Sequence, residues 1–169
     1  MIAQGHAAPP DGASTDTWSA LVVGVRGVLY GFPQEGPAIL LPWLQRYRRP
    51  SPLPAVPAWV AGLVSVRGTA QVVVDLGLFL GQQPFTPTPV ARLVFVESGE
   101  HQVGFAVDAE VGVRNLSSNG PLTTGEVIAG EALLRNQPIK ILNGDVLMTR
   151  LVEAMKKHKG GMGYGDGRE

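Results

Sequence analysis

The sequence predicts a mostly β protein made of two related subdomains, and three observations lead there. The apolar signal comes in short runs, "ALVVGV", "VLYGFP", "AQVVVD", "ARLVFV", "QVGFAV" and "PIKIL", rich in Val, Ile, Leu and Phe and bounded by Gly, Pro, Asn or Asp, which is the pattern of strands. Two junctions read as hairpins, one at Arg26-Gly27 and one around Ser98-Gly99, each with glycine where a tight turn needs positive φ. A strand that runs through Asp or Asn into helical spacing then occurs twice, in "QVVVDLGLFLG" and in "PIKILNGDVLMTRLVEAMKK".

In chain order, residues 1–17 lack apolar periodicity and are expected to form a flexible arm ahead of the first hairpin. The stretch "QEGPAILLPWLQRYRRPSPLPAVP" carries six prolines. Within it, Ala38 to Tyr47 is expected to hold a short helix that Pro42 weakens, and Pro50 to Pro57 should run extended. Helical spacing would place Leu41 and Leu44 on the core and leave Trp43 at least partly exposed. Asp75 and Asp145 are the expected N-caps of the two helices. In the second helix Leu147, Met148, Leu151, Val152 and Met155 share one face, Lys156 and Lys157 complement the C-terminal dipole, and Gly160 lies beyond the end. The folded region should span 18–158, followed by a flexible glycine-rich tail at 159–169. The repeated order groups the subdomains as about 18–30 plus 65–90, and about 91–145.

Composition narrows the function. Fourteen basic residues balance fourteen acidic ones, so no net field draws in nucleic acid or an anionic membrane. The only dense basic cluster before the tail, Arg46, Arg48 and Arg49, reads as a solvated loop or helix end. No apolar run reaches the roughly 20 residues that span a bilayer, and no signal core opens the chain, so a cytoplasmic protein without direct membrane insertion is expected. With no cysteine there is no disulfide, thiolate nucleophile or cysteine zinc site. His6, His101 and His158 are dispersed, with no metal-ligand spacing. No phosphate loop is present, and Ser65 lacks the surroundings of an esterase nucleophile. Asp75 and Asp108 each end a β run and could meet across the fold as a carboxylate pair, although a cap explains Asp75 and a strand-end turn Asp108. No catalytic residue, cofactor or metal is expected, and the protein should act by contact.

The segment "VPAWVAGLVSVRGTAQVVVDLGLFLG" resembles the CheW-like family of chemosensory adaptors through Pro57, Trp59, Gly62, Arg67, Gly68, Asp75 and Leu76. "LVVGVRGVLYGFP" is similar to the family's first hairpin, and "VGFAVDAEVGV" to a further segment through Gly104, Val107, Asp108 and Val111. The resemblance covers most of residues 18–157. It implies two SH3-like five-stranded barrels on a common core, short helices and a C-terminal helix. It also implies a non-enzymatic adaptor between chemoreceptor cytoplasmic tips and the regulatory domain of a CheA-type histidine kinase, recruited to receptor arrays at the inner membrane. Gly62, Ser65, Val66, Arg67 and Gly68, together with Leu41 and Trp43, are the implied partner contacts. For Arg67 two roles stay open: a guanidinium offered to a partner, or one that bonds its own backbone and keeps the subdomains in register. The family's Asn-Leu-Arg-Gly is here Ser65-Val66-Arg67-Gly68, and Leu41-Pro42-Trp43-Leu44 lacks the acid of the family's first helix. These departures predict altered partner contacts, as in a divergent chemosensory system such as one controlling surface motility. The alternative is a freestanding SH3-like module that takes a peptide or small ligand between its barrels.

Overall fold

A computed structural model of the chain describes residues 17–34, 42–98 and 101–161. Strands β1 (Thr17–Val25) and β2 (Val28–Pro33) form the first hairpin, and a short β3 (Trp43–Arg46) follows. Next come the hairpin β4 (Val60–Val66) and β5 (Thr69–Asp75) with helix α1 (Leu76–Phe79), and the hairpin β6 (Arg92–Ser98) and β7 (His101–Val107). The chain then forms β8 (Ala109–Ser118), the hairpin β9 (Ile128–Leu134) and β10 (Gln137–Leu142), and helix α2 (Gly144–Gly161).

The fold is mostly β, in two five-stranded sheets. One closes into a barrel in the order β9-β10-β2-β1-β8; the other runs β3-β6-β7-β5-β4. In the second sheet Ser51, just past β3, pairs with Leu63 of β4 through two backbone bonds of 2.8 and 2.9 Å, which draws the two edges together. Gly62 permits that seam, because a Cβ at its φ of 140° would lie 2.1 Å from the Ser51 carbonyl oxygen.

The expected grouping of the subdomains is corrected. The first hairpin pairs with the last third of the chain, β2 lying parallel to β10 and β1 antiparallel to β8, while residues 43–107 form the other unit whole. The second unit is thus inserted into the first. The two share a core in which Leu21, Val23 and Phe32 of the barrel meet Val74, Val94 and Phe105 of the second sheet and Leu147, Met148 and Leu151 of α2. Each sheet also keeps a cluster of its own, Val22, Leu116 and Ile139 in the barrel and Val66, Leu93 and Phe95 in the second unit.

Three local expectations change. The helix expected from Ala38 to Tyr47 is strand β3 where it is described: Trp43 to Arg46 pair in register with Phe95 to Arg92. Strand alternation, not helical divergence, sends Leu44 to the shared core and Trp43 to the second unit's own cluster, both half-buried. Asp75 caps α1 as expected, its Oδ1 accepting from Leu78 N at 3.1 Å, but α2 is capped by Asn143, which accepts from Val146 N at 3.1 Å, rather than by Asp145. Helix α2 continues to Gly161, past the expected end at His158. The arm expected at 1–17 lies outside the described residues up to residue 16, as does the tail from residue 162.

Candidate partner interface

Three hairpins turn on a two-residue loop that begins with arginine: Arg26-Gly27, Arg67-Gly68 and Arg135-Asn136. All six residues have left-handed φ, with 45°, 52° and 51° at the arginines, as the right-handed twist of paired strands requires. An L-residue there costs about 1–2 kcal/mol, so the backbone gives no reason for arginine. Its side chain must supply one.

Arg26 turns inward. Its backbone N–H donates to Asp108 Oδ2, its Nη2 to Asp75 Oδ1 at 3.2 Å, and its Nη1 faces Asp108 Oδ1 at 3.4 Å. Asp75 and Asp108 do meet across the fold, but as the two flanks of one cation. Arg26 comes from the barrel, Asp75 ends β5 of the second unit, and Asp108 joins the two, so this cluster pins one unit to the other. The Arg26 side chain is 17% exposed and that of Asp75 10%. The Phe85 ring covers the guanidinium, 5.6 Å from Cζ to centroid, and α1 leaves room for it only because residue 77 is glycine: a Cβ there would lie 2.2 Å from Nη2. Around it, Gln82 Nε2 donates to Val25 O at 3.0 Å, the Tyr30 hydroxyl donates to Gln82 Oε1 at 3.2 Å, and Phe85 N donates to Asp75 Oδ2 at 2.7 Å. Burial pushes the Tyr30 hydroxyl above its ordinary value, with the Arg26 charge opposing.

Arg67 turns outward. Its guanidinium lies over the Trp43 ring at 5.3 Å, and Trp43 stacks on Phe95 at 4.5 Å with 17° between planes. Phe95 in turn lies against Gly104, whose Cβ would come within 2.6 Å of the ring. Trp43, Phe95 and Gly104 are successive cross-strand partners on β3, β6 and β7. The missing side chain at Gly104 therefore seats Phe95, Phe95 seats Trp43, and Trp43 presents Arg67 to solvent. Among the described residues Arg67 takes part in no ion pair. Arg135 is exposed and likewise unpaired among them.

The residues expected to meet partners divide by burial. Ser65, Arg67 and Gly68 are exposed at the turn, and Trp43 is half-buried beneath it. Val66 is 5% exposed and Gly62 is buried under Ser51, so these two support the seam and turn rather than offering surface. Leu41 lies outside the described residues. The role of holding the subdomains in register, left open for Arg67, is filled by Arg26. Arg26, Arg48 and Phe95 stand outside the expected set, although the repeat of Val-Arg-Gly at 25–27 and 66–68 marks the first of them.

A hollow of about 340 Å³ lies on the second unit, lined by Tyr47, Arg49, Pro52, Asp75, Phe85 and Pro87 among others; it is not a crevice between the two units. Burial raises the Tyr47 hydroxyl above its ordinary value, with Arg49 opposing and Asp75 adding to the rise. Among the described residues no cluster of His, Asp or Glu could hold a metal ion.

A CheW-like domain model matches residues 19–152. The fold is similar to that of the scaffolding protein TtCheW from Thermoanaerobacter tengcongensis, with a TM-score of 0.61 and 21% identity, covering 74% of this chain and 88% of that one. No curated protein sequence matches.

Proposed function

The chain belongs to the CheW-like domain family, and on that premise we propose that it couples the cytoplasmic tips of chemoreceptors to the regulatory domain of a CheA-type histidine kinase. The family's proteins are scaffolds and adaptors of chemotaxis, not enzymes. One observation carries the finer reading: Arg67 is offered to solvent on a row of packed rings while its counterpart Arg26 is consumed by the fold. A cation held in place and without an anion among the described residues suits charge-assisted recognition of a partner, with Ser65, Gly68 and Trp43 as neighbouring contacts. Recruitment to receptor arrays at the membrane follows from such contacts; no described helix is long and apolar enough to cross a bilayer.

The test is titration of the purified chain with a receptor tip fragment and the kinase regulatory domain. Wild type is expected to bind both, and Arg67→Ala to weaken binding by about 1.5–3 kcal/mol, ten- to a hundredfold. Folding stability should fall by only about 0.5–1 kcal/mol, the worth of an exposed cation–π contact. A variant that binds both partners like wild type removes Arg67 from the interface.

A further inference from the structure

We infer that Arg48 acts with Arg67 as a two-guanidinium clamp for an acidic segment of the partner, an inference that rests on the adaptor reading above. Arg48 is exposed, and its Nη2 donates to the carbonyl oxygen of Ser65 at 2.7 Å, anchoring it at the same end of β4 from which the Arg67 turn departs. One Nη bond occupies part of the guanidinium fork and leaves further N–H donors for carboxylate oxygens. Neither arginine has a carboxylate partner among the described residues, where the ion pairs belong to Arg26 and Arg92.

The charge around them is lopsided. From residue 43 to 107 the sequence has five arginines, Arg46, Arg48, Arg49, Arg67 and Arg92, against three carboxylates, Asp75, Glu97 and Glu100. Asp75 is already engaged by Arg26, so this unit carries a basic surface within a chain whose formal net charge is zero. Arg46 and Arg92 even stand directly opposite one another on β3 and β6, an arrangement that costs stability. Two guanidiniums at one end of β4, one on the Ser65 carbonyl and one over the Trp43 ring, fit a segment that carries two carboxylates, one for each fork.

The experiment measures binding of the full chain to the receptor tip fragment and the kinase regulatory domain across ionic strengths, with melting curves in parallel. Arg48→Gln should weaken at least one partner about tenfold and flatten its salt dependence without lowering the melting temperature. Arg48→Lys, which keeps the charge but not the fork, should restore part of the loss. If Arg48→Gln binds with wild-type affinity and salt dependence while Arg67→Ala weakens binding, the clamp is overturned and the adaptor reading stands. If affinity falls only in step with melting temperature, Arg48 serves the fold and the clamp is overturned. If wild type binds neither partner, the adaptor reading fails and the clamp fails with it.

Discussion

Arg26-Gly27 and Arg67-Gly68 share a dipeptide, a turn and a preceding valine, yet one arginine locks the molecule and the other is displayed on it. The difference lies in what the fold brings alongside. Two strand-end carboxylates and the notch above Gly77 receive the first side chain. An indole seated on Phe95 receives the second and supplies no countercharge. The motif around an arginine therefore sets its backbone, while distant residues set its task.

The largest effect that could break this comparison comes from the buried side. Arg26→Met should destabilise the chain by about 3–5 kcal/mol, because the mostly buried Asp75 carboxylate would lose the cation it faces. Denaturant unfolding measures this. A loss under about 1 kcal/mol would mean that the cluster does not hold the two units together.

On the exposed side, Gly104→Ala should cost about 1–3 kcal/mol, since its Cβ forces the Phe95 ring to move and disturbs the Trp43 stack above it. Partner affinity should fall as well, because the platform under Arg67 shifts. Unchanged affinity in a destabilised variant would show that the row of rings serves only the core.

The smallest effect is alkaline. Burial raises the Tyr30 and Tyr47 hydroxyls above their ordinary 10.0, so both favour the folded state while protonated. That contribution is complete below the unfolded value and is lost as pH rises through the folded one, which places the decline in stability above about pH 10. Because Arg26 opposes the rise at Tyr30 alone, Arg26→Met should move Tyr30 further up and leave Tyr47 in place, as read by absorbance titration.

Local features were legible in the sequence. The Arg26-Gly27 turn, the Asp75 cap and the apolar face of α2 all follow from residues within a few positions of one another. The Arg67 motif was legible too, through the resemblance. Strand β3 was not, because four residues after a proline carry no period, and its ladder partner Phe95 lies some fifty positions away. The grouping of the hairpins escaped for the same reason: hairpin register is a local matter, whereas the parallel pairings of β2 with β10 and β5 with β7 depend on where the chain returns. Asp75 and Asp108 were visible as a pair, but the arginine between them was not, since its turn looks like the other two.

The central claim, that one turn arginine serves the fold and its counterpart serves a partner, is tested most directly by giving all three turns the same side chain. Asparagine suits both left-handed positions, so Arg26→Asn, Arg67→Asn and Arg135→Asn leave the hairpins intact and remove only the guanidinium. Melting and binding to the kinase regulatory domain would be measured on each. Arg26→Asn should melt well below wild type, Arg67→Asn should melt like wild type but bind about tenfold more weakly or worse, and Arg135→Asn should change neither. An Arg67→Asn variant that loses stability as Arg26→Asn does, yet keeps wild-type affinity at a temperature where it is folded, would contradict the account.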